Sequence, residues 1–123
     1  MPQTEVIFYC EADGTAPVKV WLEGLDRKKV LPKCISYIGR LKYFGYKLTR
    51  PTGAPLRDSI HELRPTYMNV HYRILYFFGQ GMAVLAHGCS KEGKVDEIDI
   101  DRAIERKRRF LANPERHTYI EED

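Results

Sequence analysis

The chain has 123 residues, is 43% hydrophobic and 30% charged, and carries a formal net charge of +3. That balance fits one globular domain over residues 1–123, with a short tail after about residue 113, and excludes a disordered, collagenous or disulfide-stapled chain. No apolar run of about eighteen residues occurs and Met1-Pro2-Gln3-Thr4-Glu5 lacks a basic, then apolar, start, so neither a membrane span nor a signal peptide is expected and the expected location is cytoplasmic.

Glu5 to Cys10 reads as a first strand, rich in β-branched and aromatic residues. Glu11 to Gly14 is a turn. A helix then starts near Thr15 or Ala16, with Pro17 in its first turn, where no backbone N–H is missed. Val18, Trp21, Leu22 and Leu25 fall on one face of it. A second helix over about residues 30–44 carries Val30, Cys34, Tyr37, Ile38 and Leu41 as its apolar stripe, and Pro32 belongs in its first turn. A second stripe on that helix is basic: Lys29, Lys33, Ser36, Arg40, Tyr43 and Lys47. Gly45 to Ser59 is a connection broken by Pro and Gly, carrying Lys47, Arg50 and Arg57, and no long periodic element fits it. Strands follow at residues 60–64, 70–78 and 82–89, with Pro65-Thr66 as a break and Gly79-Gln80-Gly81 as a tight turn. A last helix runs from about Glu97 to Leu111, and Asn113-Pro114 stops it. The order β-α-α-β-β-β-α predicts an α+β domain with a mainly antiparallel twisted sheet, two N-terminal helices on one face and the other face partly open.

Cys10, Cys34 and Cys89 are odd in number and widely spaced. No Cys-x-x-Cys or Cys/His ligand spacing is present, so no metal or cofactor is expected. Cys34 is expected in the core.

Charge is unevenly distributed. Residues 27–94 hold thirteen Lys/Arg against three acids, while residues 1–26 are at −4 and residues 95–123 at −3. A cationic middle between acidic ends can steer a polyanion. Two strand-like segments carry arginines, Arg64 and Arg73, and a third ends near Lys91. Charges on apolar strands are costly unless paired, so these three suggest a shared surface that meets an anion, with the RNA backbone as the expected partner. Arginine suits phosphate because its planar fork binds oxygens bidentately and stays charged. His87 is the residue of this group that titrates near neutrality, and it is the candidate acid or base if its strand face is open. By alternation, Leu85, His87 and Cys89 share that face. Arg64 could instead pair with Glu62, and Arg73 could be a structural ion-pair partner. Tyr72 and Tyr76 lie opposite Arg73 and are expected in the core.

Six pieces in order give a family resemblance. They are Pro17-Val18-x-x-Trp21-Leu22-x-x-Leu25, Leu41-x-x-x-Gly45-x-x-Leu48, Leu56-x-x-x-Ile60-x-Glu62-Leu63-Arg64, Tyr72-Arg73-Ile74-Leu75-Tyr76, His87-Gly88-Cys89-x-Lys91 and Asp99-Ile100-x-x-Ala103-x-x-Arg106. From about residue 6 to residue 111 the chain resembles the RelE/ParE toxin superfamily, the HigB-like branch most closely. It departs at Cys89, where an aromatic is frequent, and at Glu92, where a second lysine is frequent. The resemblance implies a toxin of a type II toxin–antitoxin system that cleaves mRNA on the ribosome, using the RNA's 2′-OH and no metal. By position it implies Arg64, Arg73 and Lys91 as catalytic cations. His87 joins them as the candidate acid or base because it titrates near neutrality. Arg40, Lys47, Arg50 and Arg57, from the basic helix stripe and the basic connection, are the expected RNA contacts. The implied partners are the ribosome, mRNA and a small antitoxin, often a helix-turn-helix protein. A ParE-like gyrase inhibitor and a non-catalytic RNA- or protein-binding relative stay open as alternatives.

Overall fold

The computed structural model describes residues 3–91 and 93–121. A mixed, mostly antiparallel sheet lies between two helices on one face and a third on the other. In chain order come β1 (Val6–Phe8), α1 (Pro17–Glu23), α2 (Leu31–Phe44), a 3-10 turn (Gly45–Lys47), β2 (Gly53–Pro55), β3 (His61–Leu63), β4 (Thr66–Tyr67), β5 (Val70–Gly79), β6 (Met82–Lys91) and α3 (Glu97–Ala112). The sheet order is β1-β6-β5-β3-β2, with β4 paired to β5, and only the β1–β6 pairing is parallel among these strands. This is an α+β architecture compatible with a RelE-like fold. Among the described residues no helix is long and apolar enough to cross a membrane.

The helices start and stop where local chemistry requires. Pro17 opens α1, and Pro32 sits in the first turn of α2, where its missing N–H costs nothing. Two short strands depart from the sequence reading. β2 forms inside the Pro/Gly-rich connection by pairing Gly53 with Leu63, and Thr66, expected in a break, pairs with His71. The β4–β5 turn has Met68 and Asn69 at φ 53° and 66°, and the β5–β6 turn has Gln80 and Gly81 at 55° and 75°. Two successive positive φ values match the right-handed twist of a tight hairpin.

Each face has its own core. Val18, Leu22, Val30, Cys34 and Leu41 of the α1–α2 side pack on Leu63, Ile74, Tyr76, Ala83 and Leu85. On the opposite face Ile100, Ala103 and Phe110 of α3 pack on Leu75, Phe77, Val84 and Ala86. Arg73 through Phe77 are all buried, as expected of a central strand covered on both sides. Tyr76 is in the core as expected.

One expectation is corrected. Leu85 and His87 do not share a face. Leu75 pairs with His87 while Tyr76 pairs with Leu85, so Ala86 is an extra residue in β6. A bulge of this kind inverts the alternation beyond it. Leu85 therefore points to α1 and α2, and Cys89 packs with the α3-side core. Gly88 falls on the α1 side, where any Cβ would collide with the Trp21 ring. Only glycine lets that indole approach the strand.

The tail also has a place. Thr118 bridges to Tyr9, Cys10 N–H donates to the His117 carbonyl at 3.0 Å, and Tyr119 N–H donates to the Phe8 carbonyl at 2.9 Å. The His117 ring stacks on Tyr9 with centroids 5.2 Å apart. The tail thus covers the end of β1, an edge strand of the sheet, where backbone groups would otherwise lie open.

Candidate functional site: a cationic cleft on the α3 face

On the α3 face, β3 and β5 run antiparallel with Leu63 opposite Ile74. The same register continued by one residue sets Arg64 beside Arg73, and both point to the side of Leu75. Two guanidiniums side by side repel, and Glu62 on the same face resolves this. Its Oε2 accepts from Arg73 Nη1 at 2.7 Å, and its Oε1 lies 3.3 Å from Arg64 Nε. Arg73 Nη2 donates to the Gly93 carbonyl at 2.5 Å. The side chains of Arg73 and Glu62 are 5% and 6% exposed, against 29% for Arg64. Arg73 is thus embedded, with both Nη groups engaged and a buried Nε that has no hydrogen-bond partner. Arg64 is the arginine of the pair that reaches solvent, and the cluster keeps one surplus positive charge.

The cluster forms one wall of a cleft of about 430 Å³. Arg50, Arg57 and Lys94 join Arg64 and Arg73 around it, against Glu62 and Glu97. Its apolar floor is Leu56, Val95 and Ile100. Arg57 is committed elsewhere: it meets Asp58 at 2.9 Å, Glu97 at 2.8 Å and also Asp101. These acids hold the Arg57 guanidinium above its ordinary value, Asp101 and Glu97 first. Arg57 therefore ties the 56–59 loop to α3, while Arg50 and Lys94 stay exposed.

His87 lies next along β6, within a second polar cluster. Its Nε2 is 2.7 Å from Asp99 Oδ1, and Arg106 Nη1 is 3.3 Å from its Nδ1. Arginine only donates, so this network assigns the ring proton to Nε2, which donates to Asp99. Arg106 Nη1 also donates to the carbonyl of Ala86, the bulge residue, at 2.8 Å. Glu11 Oε1 accepts from Arg106 Nε at 3.3 Å. Burial pushes His87 below its ordinary 6.5, against the opposing pull of Asp99. His87, Cys89 and Asp99 bring potential ligand atoms within 4.8 Å of one another. With Arg106 at Nδ1, however, the ring turns no lone pair towards the other two.

The expected site residues therefore divide. Arg64 and Arg73 meet in the cleft with Arg50 and Arg57. His87 stands on the same sheet face under α3, outside the cleft lining. Lys91 ends β6 opposite His71, and its side chain lies outside the described residues. Arg40 and Lys47 are exposed on the other side of the sheet, with Arg40 over the Tyr37 ring at 4.6 Å. Sequence patterns did not single out Lys94, Glu97 or the Asp99–Arg106 pair. Asp99 and Arg106 stand in the last quoted motif, and Arg106 also opens the basic stretch to Arg109, which reads as an outward helix face; its side chain is instead 13% exposed.

A mixed, mostly antiparallel sheet with three helices is an α+β architecture compatible with a RelE-like fold. Within that class, the sequence profile of the phage-derived Gp49-like family matches residues 20–108. The chain belongs to this family, which is of the toxin type within the RelE/HigB-like superfamily. No curated protein matches the chain.

Proposed function

We propose that the protein is the toxin of a type II toxin–antitoxin pair, of the HigB-like branch, and cleaves mRNA on the ribosome. The observation that carries this reading is the cleft, where Arg64, Arg50 and Lys94 stand around an apolar floor beside the buried Glu62–Arg73 pair. In such a reaction the RNA 2′ oxygen attacks the neighbouring phosphorus and the bond to the 5′ oxygen breaks. A base takes the 2′ proton, and the departing 5′ oxygen gains one. Cations steady the charge that grows on the phosphoryl oxygens. Arg64, Arg50 and Lys94 are the cations that the cleft offers to it, and Lys91 ends the adjoining strand. Arg73 acts from beneath, holding Glu62 and the Gly93 carbonyl in place. For His87 to trade a proton, Asp99 must hold the ring while Arg106 moves off Nδ1. An enzyme of this kind works in the cytoplasm, and its antitoxin would cover the cleft with acidic or apolar segments.

The test is primer extension on mRNA in a translation reaction, with wild type, Arg64→Ala and Arg73→Ala all checked for folding. Cuts that vanish in folded Arg64→Ala support the reading. A folded, antitoxin-free wild type that makes no cuts refutes it. One observation favours the alternative of a gyrase-inhibiting or non-catalytic binding protein: both Nη groups of Arg73 are engaged within the protein and its side chain is buried. Wild-type inhibition of gyrase supercoiling would support that alternative.

A further inference from the structure

The end of α2 carries a second surface, separate from the cleft. Tyr43, Phe44 and Tyr46 are 70%, 48% and 73% exposed. Aromatic rings in water are unfavourable unless something covers them. Tyr46 is held flat rather than loose. Its ring lies on Phe78 with centroids 4.0 Å apart and planes 29° apart, and Phe78 meets His61 and Tyr76 edge-on below it. One face of Tyr46 is covered and the rest of the ring stands in solvent.

The segment that carries these rings is cationic in sequence. From residue 27 to residue 57 the chain carries nine Lys/Arg and no acid. Lys33, Arg40, Tyr43 and Lys47 are all exposed along α2 and the turn after it. Exposed cations along one helix and its following turn suit a polyanion, which neutralises several of them at once. Open ring faces beside cations suit a single strand, because its bases are free to stack, while a duplex hides its base faces.

Arg40 links this surface to the cleft. Its Nη1 donates to Thr52 Oγ1 at 3.2 Å, and the Thr52 carbonyl accepts from the Arg64 N–H at 3.0 Å. At 1.5 Å rise per residue, Arg40 lies about 4.5 Å along the helix axis from Tyr43. The path runs round the β2–β3 edge of the sheet.

We propose that the end of α2 and the turn after it form a stacking platform for single-stranded RNA. Tyr43 and Tyr46 hold bases, Arg40 and Lys47 hold phosphates, and the strand leads round the sheet edge to Arg64. The choice of RNA rests on the ribonuclease reading, but binding and cleavage can be read separately.

The experiment measures fluorescence anisotropy of a labelled oligoadenylate, and of its duplex with oligouridylate, on the folded full-length chain. Tyr43→Ala and Tyr46→Ala should each weaken single-strand binding roughly tenfold and leave duplex binding unchanged. Tyr46→Phe should bind as wild type, and Lys47→Ala should reduce the salt slope by about one. Wild-type affinity in both alanine variants, or equal losses for strand and duplex, would overturn the platform. Photo-crosslinking of a thiouridine strand to the unsubstituted chain needs no variant. Adducts within residues 42–47 support the platform, and adducts confined elsewhere overturn it. Primer extension on the same proteins separates the two readings. Lost strand binding with no wild-type cuts keeps the platform and removes the ribonuclease; unchanged binding with normal cuts does the reverse.

Discussion

Two polar clusters sit side by side on the α3 face of the sheet, and they are built to different ends. Around Glu62, two arginines share one carboxylate, and the cluster opens into the cleft. Around His87, a ring without charge lies between Asp99 and Arg106, with Glu11 balancing Arg106. The first keeps a surplus cation where solvent reaches Arg64. The second spends its charges on holding α3 and the β6 bulge together. Both occupy strand positions that alternation alone would rate alike. What separates them is α3, which packs over one and leaves the other open. A cation on a strand therefore stays available to a ligand only where no side chain packed against it, from strand or helix, takes up its charge.

The sharpest way to break the comparison is to remove the carboxylate of the open cluster. Glu62→Ala leaves Arg73 buried without its partner and should cost about 3–5 kcal/mol in urea unfolding. A loss below about 1 kcal/mol would mean that water or another acid reaches Arg73. The matched change in the covered cluster is smaller. Asp99→Ala removes one hydrogen bond from a largely buried, neutral ring and should cost about 1–3 kcal/mol. Equal losses from the two substitutions would erase the distinction drawn between the clusters.

The pH dependence sharpens it further. His87 has its folded value depressed by burial, so the unfolded chain binds the proton more readily. Stability from this group is complete above the ordinary 6.5 and is lost as pH falls below it towards the depressed folded value. Melting curves from about pH 7.5 to about pH 5 should show wild type losing stability more steeply than His87→Gln. His61 is depressed in the same direction, also chiefly by burial, so some slope should survive in the variant. Identical slopes would show that His87 keeps its ordinary affinity for protons. The smallest effect on stability is expected at Arg64. Its side chain is partly exposed, and Arg64→Ala should change unfolding by under about 1 kcal/mol. The same substitution should lower the salt slope of RNA binding by about one, while Arg106→Ala should leave that slope alone.

Much of this was legible because it is written locally. The apolar spacing of Val30, Cys34 and Leu41, the prolines that open α1 and α2, and the Asn113-Pro114 stop all act within a few residues. Arg64 and Arg73 stood out because cations on apolar strands are costly. Less legible were elements that exist only through a partner. β2 has no periodicity of its own and forms by pairing with β3. The tail holds its course by bonding to Phe8, Tyr9 and Cys10, more than a hundred residues earlier.

By itself, the sequence determined the α+β class, the order of the main elements and the cationic middle, since helix and strand periods and charge counts need no knowledge of distant contacts. Tertiary structure alone decided which cations stay available. Glu62 neutralises Arg73 and three acids take Arg57, while Arg50, Lys94 and Arg64 remain at the cleft surface. It also decided the facing of His87, because one extra residue at Ala86 reverses the strand's alternation. The physical reason is the same in both cases. A charge is spent or spared, and a side chain buried or open, according to what packs against it from elsewhere in the chain.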